Sequence, residues 1–154
     1  MNADKVVMST SKLFYHLDEI QKWKRNEYFP PIMIEVNPTD LCNQKCFFCY
    51  TEYLGHKNLS IPDAALIRIF RELGMAGVKA CQIQGTGEPF VNKGLPDAIV
   101  AGNENGLDCA THTNGTLVTN EILEKIIPNL CFFRVTNMEC NEKLYQKTHG
   151  RRVF

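Results

Sequence analysis

Apolar and polar positions along this chain fall into a repeating order of short apolar runs and longer amphipathic ones. Over residues 11–26, Leu13, Phe14, Leu17 and Ile20 recur at helical spacing, which predicts an amphipathic helix. Pro30-Pro31 stops anything helical beyond it. Residues 32–36 then read as a first strand. Ser60, with Pro62 and Asp63 behind it, reads as a helix start. Leu66, Ile69, Phe70 and Leu73 give that helix an apolar stripe, and Gly74 and Gly77 mark its end. Residues 81–84 predict a second strand, and residues 95–103 a weaker helix ending near Gly106. Residues 107–113 predict a third strand. Thr119 caps a helix carrying Ile122, Leu123, Ile126 and Ile127, closed by Pro128, and residues 131–136 predict a fourth strand.

Strand and helix alternating at this spacing predict an α/β fold of parallel βα units with right-handed crossovers. Residues 1–30 read as a helical lead-in and residues 31–154 as the body of the fold, with the first helix and Trp23 expected as core at the bottom of a barrel. The unusual residues all fall just past successive strands: a cysteine loop, Gly85-Thr86-Gly87-Glu88-Pro89, Asn114-Gly115, and Thr136-Asn137. In a parallel barrel that rim is where active sites assemble.

Composition narrows the classes. The 154 residues are 44% hydrophobic and 22% charged, with 17 basic and 17 acidic side chains, an ordinary globular profile. Balanced charge supplies no electrostatic pull toward nucleic acid or an anionic membrane, and no apolar run is long enough to cross a bilayer. Met1-Asn2-Ala3-Asp4-Lys5 has no apolar h-region, so no secretion signal is expected. Seven cysteines in such a chain point to a reducing cytoplasm and to metal ligation or burial, not to disulfides.

Cys42, Cys46 and Cys49 form a C-x3-C-x2-C set directly after the first strand. Soft thiolates so close together favour an iron–sulfur cluster or zinc, and three ligands leave one coordination position open for chemistry. A structural zinc site with His56 as fourth ligand is the rival reading, although no second Cys pair accompanies it. Cys81, Cys109 and Cys131 read as buried fillers, and Cys140 as a loop residue without a role. His112 reads as a satisfied inward histidine, and His149 and Arg152 as surface or helix-start residues. Arg134, on an apolar strand, needs an anionic partner.

Taken in order, Cys42-x3-Cys46-x-Phe48-Cys49, Gly85-Thr86-Gly87-Glu88-Pro89 and Thr113-Asn114-Gly115 resemble the radical S-adenosylmethionine (SAM) superfamily. The Pro38-Thr39-x-x-Cys42-Asn43 start and the Gly-x-Gly-Glu-Pro turn look closest to its SPASM/twitch branch. The resemblance implies a partial TIM-like barrel, of which this chain holds about four of the six βα repeats. It implies a [4Fe–4S] cluster on Cys42, Cys46 and Cys49, with SAM on the fourth iron, reductive cleavage of SAM to a 5′-deoxyadenosyl radical, and hydrogen abstraction by an oxidoreductase. By the same resemblance Phe48 packs near the adenine, Tyr50 adds backbone contacts, Gly85 and Gly87 approach the methionine moiety, and Glu88 takes the ammonium region. Thr136 and Arg151 match residues that contact the ribose and carboxylate, and Asn114 faces SAM or substrate. A reductant such as flavodoxin or ferredoxin, and a peptide or small-molecule substrate, are the implied partners. With the fifth and sixth strands missing, the chain is expected to be a fragment of a larger enzyme. The alternative is a non-catalytic iron–sulfur or zinc-binding half-domain that needs a partner chain.

Overall fold

The computed structural model describes residues 10–137, 139 and 141–150. Arg151, Arg152 and Cys140 lie outside the described residues. Contacts divide the chain into two compact units, Met1–Pro30 and Pro31–Phe154.

The first unit carries a 3-10 helix, Thr10–His16, running into α1, Leu17–Lys24. Its apolar stripe differs from expectation: Leu13, Phe14, Leu17 and Trp23 are all exposed, and α1 has no buried residue. A stripe at helical spacing specifies a face, not what covers it.

In the second unit β1 (Met33–Val36), β2 (Ala80–Ile83), β3 (Asp108–Thr113) and β4 (Leu130–Val135) form one sheet in that order. All three pairings are parallel. The main helices are α2 (Thr51–Leu54), α3 (Asp63–Met75), α4 (Leu95–Glu104), α5 (Asn120–Ile126) and α6 (Glu142–His149). This is the expected α/β architecture, four parallel strands of a partial barrel.

Register decides which side chains meet. Ile34, Cys81, Cys109 and Leu130 align in one row, and Val36, Ile83, Thr111 and Phe133 in the next. Both rows sit on the face where Leu66 and Phe70 of α3, Leu95, Ala98 and Ile99 of α4, and Ile126 of α5 complete the core. The alternate rows, with Glu35, Gln82, Phe132, His112 and Arg134, form the open face.

Three local expectations are revised, those for Cys131, Arg134 and Ser60, and two hold. Cys81 and Cys109 are buried fillers, their thiols pushed up by burial, to about 12 for Cys81. Cys131 is exposed, because the β3–β4 register shifts between Cys109 and Ala110 and leaves Cys131 as the extra residue of a bulge. Arg134 is exposed too, so it needs no buried anion; burial, and after it Arg134, holds the half-buried His112 below the usual imidazole range. Ser60 caps nothing: Pro62 precedes α3, and Ser60 bridges antiparallel to Thr39. Thr119 does cap α5, accepting from the Ile122 amide.

The Thr39–Ser60 bridge closes the base of the cysteine loop. The Asp40 carboxylate accepts from the amides of Lys57 and Leu59 at 2.7 and 2.6 Å, and Thr39 Oγ1 donates to the Leu59 carbonyl. Buried Asn92 staples this base from outside, donating to the Ile61 carbonyl at 2.7 Å and accepting from the Gly94 amide at 3.0 Å. Asn92→Ala strands both backbone groups away from water. It is expected to cost about 2–3 kcal/mol, seen as a lower urea midpoint at unchanged slope.

Candidate metal centre

Each strand end delivers one part of the site. β1 runs through Pro38 and Thr39 into the cysteine loop, β2 into Gly85-Thr86-Gly87-Glu88-Pro89, β3 into Asn114-Gly115, and β4 into Thr136. The Thr136 amide donates to the Thr113 carbonyl at 2.8 Å, which places Thr136 on the same rim.

Glu88 ties the second and third turns together. It is 2% exposed, yet its carboxylate accepts from Thr113 Oγ1 at 2.7 Å, the Asn114 amide at 2.7 Å and the Phe90 amide at 3.1 Å. Burial pushes its carboxyl above the ordinary range, and the three hydrogen bonds pull it part of the way back. The Glu88 amide donates to the Leu41 carbonyl at 2.9 Å, which joins the second turn to the cysteine loop.

A second lock joins that loop to the third turn. Asn114 Nδ2 donates to Asn43 Oδ1 at 2.8 Å, Asn43 Nδ2 donates to Thr116 Oγ1 at 2.7 Å, and Asn114 Oδ1 accepts from the Thr116 amide and hydroxyl. The glycines were expected to let backbone approach a ligand. Here they let the chain approach itself. A Cβ on Gly87 would stand 2.4 Å from the Leu41 carbonyl oxygen and 2.5 Å from that of Thr39, and one on Gly85 would stand 2.2 Å from Asn37 Cγ.

α6 closes the other side of the loop. Its last turn leaves carbonyls without helical partners, and the loop supplies donors: the Lys45 amide to His149 and the Phe47 amide to Thr148, both at 3.0 Å. Gly150, in the left-handed conformation at φ +70°, ends the helix where a Cβ would meet the Lys45 carbonyl oxygen at 2.9 Å. His149 is therefore buried at a helix end, not at a surface helix start. Its ring stacks on Tyr145 and meets Phe48 edge-on at 5.4 Å. Phe48 also meets Phe47 edge-on and keeps part of its surface exposed, as does Tyr50.

Cys42, Cys46 and Cys49 are half-buried and are not joined in disulfides. The Gln44 amide donates to Cys42 Sγ at 3.4 Å, Cys46 Sγ donates to Gln44 Oε1 at 3.5 Å, and Cys49 Sγ lies 2.8 Å from the Thr51 hydroxyl. Among the described residues no three Cys, His, Asp or Glu side chains converge as a finished metal site. His56 Nδ1 is engaged with the Asp40 carbonyl. The donor set still suits an iron–sulfur cluster: three soft sulfurs on one loop, two of them facing a hydrogen-bond donor of the kind that supports cluster thiolates. An open groove of about 360 Å³ lies beside this centre, lined by Asn37, Pro38, Asp40, Leu59 and Thr86 among others, and by none of the three cysteines. The chemistry follows the sulfurs, not that groove.

The model of the radical SAM superfamily matches residues 36–152. The chain belongs to the radical SAM superfamily. Its members use a [4Fe–4S] cluster and SAM. Over 89 residues the chain is 29% identical to an S-adenosylmethionine-dependent nucleotide dehydratase of Lacinutrix mariniflava, covering 54% of this chain and 18% of that one. Over 120 residues it is 29% identical to an Fe-coproporphyrin III synthase of Methanosarcina barkeri, covering 76% of this chain and 28% of that one. Streptococcus suis SuiB, solved with its precursor peptide SuiA, shares the fold at a TM-score of 0.66 and 20% identity, over 95% of this chain and 34% of SuiB. This radical SAM chain thus spans about a third or less of the length of these proteins.

Sequence reasoning placed the three cysteines, Glu88, Asn114 and Thr136 on one rim, and the structure brings them there. It quoted Asn43 as part of a motif without giving it a role, and it missed Gln44, Asn92, Thr116 and Tyr145, none of which carries a local signal of its own.

Proposed function

We propose that Cys42, Cys46 and Cys49 hold three irons of a [4Fe–4S] cluster and that SAM completes the fourth, in an oxidoreductase that abstracts hydrogen from its substrate. Bound together, the two cofactors supply reductive cleavage of the sulfonium and the hydrogen abstraction that follows. The chain supplies position. Phe48 offers its uncovered ring to the adenine, and Tyr50 backbone contacts. Gly85 and Gly87 shape the turn beside the methionine moiety, and Glu88 sets the charge near its ammonium group. Asn114 and Thr136 line the rim, and Arg151 meets the carboxylate. What supports this reading most is the double lock, through Glu88 and through Asn43, Asn114 and Thr116, that holds the cysteine loop against both neighbouring turns.

The substrate lies against the open face, beside Glu35, Gln82, His112 and Arg134, where burial and then Arg134 favour the neutral form of His112. The named relatives act on chemically unlike molecules, so the class stays at peptide or small molecule. The electron comes from a flavodoxin- or ferredoxin-type donor.

Anaerobic reconstitution with iron and sulfide is expected to give a brown protein with about four irons per chain and a paramagnetic signal on reduction. SAM is expected to shift that signal, and 5′-deoxyadenosine to accumulate with dithionite. Cys46→Ala is expected to lose the cluster. A colourless protein holding one zinc ion overturns the reading, and a cluster indifferent to SAM leaves a carrier rather than an enzyme.

A further inference from the structure

The three cysteine sulfurs do not have equivalent surroundings. Cys42 receives a backbone N–H, and Cys49 faces a hydroxyl able to donate. Cys46 faces the amide oxygen of Gln44. That contact suits a thiol, which donates its proton. It opposes a metal-bound thiolate, which has no proton and only accepts.

Gln44 is 2% exposed and Tyr145 is 4% exposed, and Gln44 Nε2 donates to the Tyr145 hydroxyl from 101 residues away in the chain. Turning the Gln44 amide over would present Nε2–H to Cys46 and Oε1 to Tyr145. The phenol serves either orientation, because its oxygen accepts and its O–H donates. Tyr145 is held in place by its stack on buried His149, with centroids 4.0 Å apart and planes within 8°, and by α6, whose last carbonyls the cysteine loop itself satisfies. An apolar residue would fill the same buried position at no hydrogen-bonding cost. A fully buried amide beside a ligand sulfur points to a task at that sulfur.

We propose that Gln44 and Tyr145 are positioning residues that supply a hydrogen bond to the Cys46 sulfur of a bound cluster and so raise its reduction potential. This inference rests on the cluster reading above. A donor aimed at a ligand sulfur favours the more electron-rich, reduced cluster; the cluster thiolate, which only accepts, selects the orientation with Nε2–H toward it, and the Tyr145 O–H then donates to Oε1 and holds the amide in place.

The test is an anaerobic, EPR-monitored redox titration of the full reconstituted chain as wild type, Gln44→Leu, Tyr145→Phe and the double variant. Both single variants are expected to shift to lower potential, with a several-fold smaller reduced fraction at a fixed poise. The double variant is expected to fall no lower than Gln44→Leu, because the two residues act in series. A pair that only glues α6 to the loop would lower the denaturation midpoint and leave the potential alone. Unchanged potentials in variants that carry full iron overturn the inference while the cluster reading stands. A wild-type chain that takes up no cluster overturns both. If Gln44→Leu fails to assemble, Tyr145→Phe decides, since it keeps the ring and its stack and removes only the hydroxyl.

Discussion

Truncating Glu88 to alanine is expected to unseat the cysteine loop and destabilise the domain by more than about 3 kcal/mol. The carboxylate serves the Phe90 amide, the Asn114 amide and the Thr113 hydroxyl in a site almost closed to water. Each orphaned buried donor costs about 1–3 kcal/mol, and the losses add to the void left by the side chain. Such a loss is a large share of the stability of a domain this size. Urea denaturation followed by circular dichroism reads the stability. Mass-spectrometric alkylation of Cys42, Cys46 and Cys49 in the metal-free protein reads the loop, and several-fold faster labelling is expected. The pH dependence has a defined sign. Because burial raises the Glu88 carboxyl in the folded state, its contribution is fully present below the ordinary carboxylate value and declines as pH rises through the raised folded value. That part of the pH slope disappears in Glu88→Ala, so the gap between wild type and variant narrows as pH rises. A variant of wild-type stability and unchanged thiol labelling would remove Glu88 from this structural role.

Gly87→Ala is expected to be at least as damaging, by a different mechanism. The added methyl would sit 2.4, 2.5 and 2.7 Å from Leu41 O, Thr39 O and Asp40 C, all backbone atoms. Backbone cannot swing aside as a side chain can, so the turn must separate from the cysteine loop and break the Glu88 N–H to Leu41 bond. Overpacking a well-packed contact costs about 1–3 kcal/mol, and losing the joint adds to it. Gly85→Ala provides the control. Its Cβ meets the Asn37 side chain, which is exposed and gives way at the cost of its bond to Thr86, leaving mainly the strain of a φ of +157°. The expected order of iron content after reconstitution is wild type, then Gly85→Ala, then Gly87→Ala. Equal iron content in all three would show that close approach at Gly87 does not hold the loop.

Both predictions concern residues that a sequence reading assigns to a ligand. Glu88 and Gly87 were expected to face SAM, and Asn114 SAM or substrate, and in the folded chain each is also committed to another part of the chain. A motif records that a residue type is needed at a position. The partner that needs it lies on another strand end and leaves no mark beside the motif.

The local pattern was enough for the four strands, the helices between them and the position of the cysteines past β1. Strand and helix periodicity is a property of neighbouring residues, and parallel βα units place every such turn on one edge. Tertiary structure decided the rest. Only the β3–β4 register exposes Cys131 while burying Cys109. Only the return of α6 sets Tyr145 on Gln44 and hides His149. Only the packed rim shows that Asn43 and Thr116 complete a lock whose other member is Asn114. Those contacts join residues dozens of positions apart, and their energy exists only once the chain has closed the distance between them.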